Sequence, residues 1–199
     1  GTGSTEMRLI DAIHDGLNEA MKLWPELVLM GQDIGAYGGV FKATDGMLAS
    51  YGSQRVRNTP LCESAIVGAS LGYAIAGGKA MMEMQFSDFV TTGFNQIVNN
   101  LAKLHWRWGQ SVDVVIRMPT GAGVAAGPYH SQSTEAWFTH VPGLKVVYPA
   151  WPSEAKALLL QSLADPNPVM FFEHKGLYRS ISEEVEEGYF TIEIGKANV

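Results

Sequence analysis

Apolar residues recur at three- and four-residue spacing through Leu9, Ile10, Ile13, Leu17, Ala20 and Met21. This pattern predicts an amphipathic helix from Met7 to Leu23, with Thr5 as its cap and Pro25 as its stop. The continuous apolar run Leu27 to Met30 that follows suits a strand covered on both faces. The alternation then repeats. Strands are expected at Arg55 to Asn58, Lys79 to Met84, Val112 to Met118, Leu144 to Val147 and Val169 to Phe172, and helices at Glu63 to Ala76, Asp88 to Trp106, Thr134 to Thr139 and Ser153 to Ala164. Pro152 and Ser153 open the last helix and Pro166 closes it. Strand and helix in alternation imply an α/β fold, a mostly parallel sheet with helices on both faces.

One domain accounts for residues 7–182. Gly1 to Ser4 reads as a linker remnant. The acidic run Glu183 to Glu187 and the strand-like Tyr189 to Ile194 have no evident partner element, so 183–199 is expected to begin a linker into a further domain. Composition narrows the function. Fourteen Lys and Arg against twenty Asp and Glu give a net charge of -6 over 199 residues, with no basic surplus for nucleic acid or an anionic membrane. The apolar stretch Ser64 to Gly78 is shorter than the roughly 20 residues that span a bilayer. The N-terminus lacks a basic region followed by an apolar run. Cys62 is the only cysteine and can form no intrachain disulfide, which favours a reducing compartment.

Open parallel sheets bind ligands beyond the carboxyl ends of their strands. The segments to read closely are therefore 31–39, 58–64, 85–89 and 119–133. Gly121 to Gly127 superficially fits a dinucleotide fingerprint, but Pro128 interrupts it and no acid follows at the required distance. His130 lies in a run, Met118 to Thr134, that holds no Asp, Glu, Lys or Arg. Its imidazole suits an acid, a base or a donor to an anionic substrate, or else a plain surface position. His14, His105, His140 and His174 form no zinc-ligand spacing with Cys62. Glu63 opens a helix, where the dipole alone favours an acid. Beside Leu61, Cys62 and an Ala- and Gly-rich helix it is also placed to be desolvated and to share a proton with a ligand nitrogen.

Read in order, Gly31-Gln32-Asp33-Ile34-Gly35, Tyr37-Gly38-Gly39-Val40-Phe41, Thr59-Pro60-Leu61-Cys62-Glu63-Ser64, Glu83-Met84-Gln85-Phe86, His130-Ser131-Gln132-Ser133 and Pro142-Gly143-Leu144-Lys145-Val146-Val147 carry a resemblance. From about Met7 to Val199 the chain resembles the beta subunit of thiamine-diphosphate-dependent 2-oxo acid dehydrogenases of the pyruvate and branched-chain type. It matches that subunit's amino-terminal, pyrimidine-binding domain, the transketolase-like half that precedes a carboxy-terminal domain. The resemblance implies oxidative decarboxylation of a 2-oxo acid, pyruvate or a branched-chain acid such as 2-oxoisovalerate, with the acyl group passed to a lipoyl carrier.

By the same resemblance, Glu63 bonds the aminopyrimidine nitrogen of thiamine diphosphate and favours its imino tautomer, while Leu61, Gln85 and Phe89 shape the pyrimidine pocket. Phe86 is a weaker candidate than Gln85 and Phe89. His130 faces the substrate and helps hand on the acyl group. A potassium ion is implied near the carbonyls of Val114, Ser162 and Leu163 with Asp165 and Asn167. The chain lacks a Gly-Asp-Gly element with a downstream Asn. Magnesium and the diphosphate therefore fall to an alpha subunit or a fused alpha region. A second beta subunit and a lipoyl acyltransferase core complete the implied assembly, in the bacterial cytoplasm or the mitochondrial matrix. Gln32 departs from the family's usual glutamate and cannot carry a proton at neutral pH. It implies that proton communication between paired sites is rerouted or lost. Two alternatives stay open: a non-catalytic α/β assembly module and a transketolase-like thiamine-diphosphate enzyme.

Overall fold

Four mostly apolar segments become the inner strands of one six-stranded parallel sheet, buried nearly throughout because both faces are covered, and two three-residue strands flank them at the edges. The computed structural model describes residues 3–197. The strands are β2 (Leu27–Gly31), β3 (Val56–Asn58), β4 (Lys79–Glu83), β5 (Val114–Thr120), β6 (Lys145–Val147) and β7 (Val169–His174), in the order β3-β2-β4-β5-β7-β6. All neighbours in that sheet pair in parallel. On one face α1 (Leu9–Leu23) and α6 (Pro152–Ala164) bury Ile13, Leu17, Ala155 and Leu159 against Leu29 and Val115. On the other, α3 (Glu63–Ile75) and the helical stretch after β4 bury Ile66, Val67, Val90 and Ile97 against Met82 and Ile116. This is the α/β architecture that the alternation predicts.

Several local expectations change. The first helix starts at Leu9, two residues later than expected, and Thr5 does not cap it. Residues Ser4–Arg8 form β1, and the Asp11 carboxylate accepts the Arg8 backbone N–H at 3.1 Å and its guanidinium at 2.8 and 2.9 Å. Ser4 thus belongs to a paired strand. The acidic run has a partner after all: β8 (Ser182–Glu186) pairs antiparallel with β1. Its Val185 is fully buried, and Glu183 accepts the Ser153 N–H at 2.7 Å, where an anion meets the positive end of α6. Tyr189 to Ile194 is not a strand; Tyr189 sets its ring edge-on to Trp24.

The expected helix Asp88 to Trp106 is broken into a 3-10 segment (Ser87–Gly93), a π segment (Gln96–Leu101) and α4 (Leu104–Trp108). π geometry inserts an extra residue per turn and is frequent at functional sites. Two further short helices, α2 (Met47–Tyr51) and α5 (Glu135–Thr139), and a 3-10 turn (Lys175–Leu177) directly after β7 complete the fold. Among the described residues no helix is long and apolar enough to cross a membrane.

Candidate active site

Because all strands of the main sheet run one way, the segments after β2, β3, β4, β5 and β7 share one edge. Glu63 is the first residue of α3 and only 8% exposed. Its Oε2 accepts from Thr92 Oγ1 at 3.4 Å. The 3-10 segment can come that close because residue 93 is glycine: a Cβ there would meet Val67 at 3.2 Å and the Glu63 carbonyl at 3.5 Å. Gln96 Nε2 adds a second tie, donating to Ser64 Oγ at 2.7 Å. The π segment is thus fastened to the first turn of α3, and the carboxylate is held there by two elements.

Gln85 donates its Nε2 to Asp33 Oδ2 at 2.9 Å, joining the loops after β4 and β2. Phe89 is half-buried and meets His130 edge-on at 5.4 Å between ring centroids. Phe86, the weaker candidate of the sequence, sits among Phe41 at 5.5 Å, Phe89 at 5.5 Å and His130 at 4.9 Å. The His130 Nδ1 is buried without a hydrogen-bond partner. Leu61 stands apart from this packing, 80% exposed, and Tyr37 and Tyr129 on neighbouring loops of the same edge are exposed too.

The glycine-rich loop 121–127 opens no helix, since the next one begins at Glu135. Instead the loop is tied down. Gly121 N donates to the Gln132 carbonyl at 2.9 Å, Gln132 N to Asp88 Oδ2 at 3.1 Å, and Lys175 Nζ to the His130 carbonyl at 2.7 Å. Gly121 has φ +85, and a Cβ there would strike His174 Nε2 at 2.5 Å, so only glycine lets the loop pass over the end of β7. Lys175, Asp88, Thr92 and Asp33 were not singled out as site residues in the sequence. Lys175 follows β7 directly, so the same reading of strand ends, carried one strand further, finds it.

The site's polar groups suit an aromatic nitrogen heterocycle: a buried carboxylate, a side-chain amide and aromatic faces stand at one edge. Among the described residues no three His, Cys, Asp or Glu gather to hold a metal ion. Near the positions implied for potassium, Val112 N donates to the Pro166 carbonyl at 2.9 Å and Asp165 N to the Ser162 carbonyl at 3.2 Å. Several of their oxygens are already engaged. The Leu163 carbonyl accepts the Lys79 ammonium at 2.6 Å, with Asp113 3.0 Å from the same nitrogen. Asp165 pairs with Lys145 and accepts the Asn167 N–H at 2.9 Å. Lysine ammoniums supply the positive charge there, and only Asn167 Oδ1 is left buried and unpartnered. As they stand, these residues do not fit a potassium cage.

Comparison with known proteins gives a consistent result. Residues 5–181 match the transketolase pyrimidine binding domain. The chain is 47% identical over 196 residues to the mitochondrial 2-oxoisovalerate dehydrogenase subunit beta 2 of Arabidopsis thaliana, covering 97% of this chain and 54% of that protein. It is 45% identical to the 2-oxoisovalerate dehydrogenase subunit beta of Bacillus subtilis, with 97% and 60% covered. To the pyruvate dehydrogenase E1 component subunit beta of Staphylococcus aureus it is 41% identical, with 98% and 60% covered. The chain thus spans little more than half the length of these relatives. A solved split-gene transketolase, an inactive beta4 tetramer, superposes with a TM-score of 0.72 at 20% identity over 96% of this chain and 57% of that one.

Proposed function

The chain belongs to the family of transketolase pyrimidine-binding domains, and from that premise we propose that it forms one wall of the active site of a 2-oxo acid dehydrogenase. The substrate is pyruvate or a branched-chain acid such as 2-oxoisovalerate, the two classes in the names of its relatives. The observation that carries the reading is Glu63, a carboxylate withdrawn from water at the start of α3 on the edge that also presents His130. Thiamine diphosphate, when bound, supplies the electron sink for loss of carbon dioxide.

The chain's own residues do the rest. Glu63 holds a proton at a pyrimidine ring nitrogen, Gln85 and Leu61 shape the ring's pocket, and Phe89 with Phe86 presents aromatic surface to it. His130 faces the 2-oxo acid and serves the hand-over of the acyl group. An alpha subunit or fused alpha region covers Leu61, Tyr37 and Tyr129 and holds magnesium and the diphosphate. A second beta subunit and a lipoyl acyltransferase core complete the assembly, and 183–199 leads into a carboxy-terminal domain. No step is assigned to potassium, since Lys79 and Lys145 already hold the Leu163 carbonyl and the Asp165 carboxylate.

The test is 2-oxo-acid-dependent reduction of an artificial electron acceptor by the parent complex with thiamine diphosphate and magnesium, across pyruvate and the branched-chain acids. Turnover with one acid class that vanishes in Glu63→Ala supports the proposal and names the substrate. A complex shown to hold cofactor yet inactive with every acid supports an assembly module instead, and activity that survives Glu63→Ala removes Glu63 from its role. The isolated chain is expected to show no turnover.

A further inference from the structure

His130 is held by its main chain rather than by its ring. The imidazole meets Phe86 and Phe89 only edge-on, and Nδ1 is buried without a partner. The residue's polar attachments are backbone: its N–H reaches the Gly127 carbonyl at 3.2 Å, and its carbonyl accepts Lys175 Nζ at 2.7 Å. The segment between has little stiffness of its own, since Gly121, Gly123, Ala125 and Gly127 all have positive φ. Without an external tie such a segment samples many conformations.

Lys175 supplies the tie, and at a cost that a merely solvated lysine would not bear. It is 6% exposed, seated just past the end of β7 where the sheet fixes its backbone, and its Nζ lies 4.6 Å from the Phe86 ring centroid. One ammonium therefore touches both the ring against which His130 packs and the carbonyl that carries His130. Asp88 completes the arrangement from the 3-10 segment: its Oδ2 holds Gln132 N, two residues beyond the histidine. Ser87 Oγ, next to Asp88, donates to Thr120 Oγ1 at 2.9 Å at the loop's root. The loop is clamped on both sides of His130.

We propose that Lys175 is a positioning residue: its ammonium, lodged between the Phe86 ring and the His130 carbonyl, fixes how far the His130 imidazole reaches into the site. The inference rests on the proposed role of His130 in facing the 2-oxo acid. Geometry of this kind is worth much in rate, because displacing a reacting group by about 1 Å can cost on the order of 100-fold. Burial pushes the Lys175 ammonium below the ordinary lysine value, with the Asp88 carboxylate opposing. The groups facing it are Asp88 from the 3-10 segment and His130 from the loop, with His174 adjacent on its own strand. Loss of the ammonium proton on the alkaline side removes the charge from its contact with the Phe86 ring and weakens its bond to the His130 carbonyl.

The test uses Lys175→Met in the parent complex and reads two things. Amide exchange across residues 129–132 reports the clamp without reference to catalysis and is expected to rise at least about tenfold. Turnover is expected to fall roughly 10- to 100-fold in kcat with little change in KM, and its alkaline limb to disappear. Combined with His130→Ala, Lys175→Met is expected to add almost nothing, because it acts through the histidine. Lys175→Arg, which keeps a charged donor, restores part of the rate. Should Lys175→Met not fold, Lys175→Gln carries the same readings. Unchanged exchange and unchanged kcat in a complex that His130→Ala does damage overturn the clamp alone. A silent His130→Ala overturns the role of the histidine, and raised exchange in Lys175→Met then leaves the tie without a catalytic purpose.

Discussion

Replacing Glu83 by glutamine is expected to help the protein more the higher the pH, the reverse of what removing a salt-bridged carboxylate usually does. The strand register sets Glu83 beside Arg117, and Glu173 lies on the other side of the same guanidinium. Arg117 donates to Glu173 through two nitrogens at 2.7 and 2.6 Å and to Glu83 through one at 2.7 Å, and Tyr178 Oη adds a bond to Glu173 at 2.7 Å. Arg117 and Glu173 are fully buried, and Glu83 is 4% exposed. Two carboxylates thus share one guanidinium, and the less bonded of them, Glu83, carries the surplus charge. Burial pushes the Glu83 carboxyl above the ordinary range, with Arg117 pulling the other way. The folded state therefore keeps this proton to higher pH than the unfolded chain does. The stability it contributes is complete below the unfolded value of about 4.3 and is lost as pH rises through the folded value. Glutamine keeps the acceptor for Arg117 and has no proton to lose. Between the two pKa values the gap between Glu83→Gln and the parent should move in favour of the variant by up to about 1.4 kcal/mol per pH unit. Urea unfolding followed by tryptophan fluorescence at about pH 5 and about pH 8 measures it. A gap constant to within about 0.5 kcal/mol, or one that moves in favour of the parent, would refute the reasoning.

Further outcomes follow from the same structure. Arg117→Met leaves two buried carboxylates unpaired and should cost about 3–5 kcal/mol, read from urea midpoints. Gly143→Ala places a Cβ 2.0 Å from the Ala102 carbonyl at φ +93, and thermal unfolding should show a loss beyond the roughly 1–3 kcal/mol of the left-handed conformation alone. Phe138→Ala empties a fully buried ring that packs on Phe94 and Phe172, at a cost of about 3–5 kcal/mol in urea unfolding. Leu61→Ala should leave the stability of this chain within about 0.5 kcal/mol, because its side chain is exposed. It should weaken assembly with the proposed alpha partner, as sedimentation would show.

What the sequence reveals depends on whether a residue's role leaves a period or a spacing. β2, β4, β5 and β7 read directly because burial on both faces demands mostly apolar runs, and α1 because one face alone is buried. β1 and β8 leave no such trace. Their residues are largely exposed, with Val185 fully buried and Met7 and Glu183 half-buried, so the pairing is a matter of backbone bonds that composition hides. The stretch 87–108 reads as one helix because 3-10, π and α turns share nearly the same apolar spacing. Only the tertiary ties through Gly93, Thr92 and Gln96 show where it changes pitch.

The site divides along the same line. Glu63, Gln85 and Phe89 follow strand ends within a few residues, so position directs attention to them, while their roles come from the family resemblance. Lys175 also follows a strand end, yet a single lysine after β7 announces nothing until the fold brings it under a loop 45 residues earlier in the chain. The buried ion network is hidden for a related reason. Glu83, Arg117 and Glu173 each interrupt an apolar strand near its carboxyl end, where sequence reading expects a charge to meet solvent or ligand. Parallel pairing of β4 with β5 and of β5 with β7 instead turns the three toward one another inside the sheet. Tyr178 links this network to the site, since it bonds Glu173 and packs at 5.2 Å on Phe41, which in turn meets Phe86. The charges under the sheet and the aromatic seat of His130 are therefore one continuous packing unit, and the Lys175 ammonium, two residues beyond Glu173, is the point where that unit takes hold of the loop.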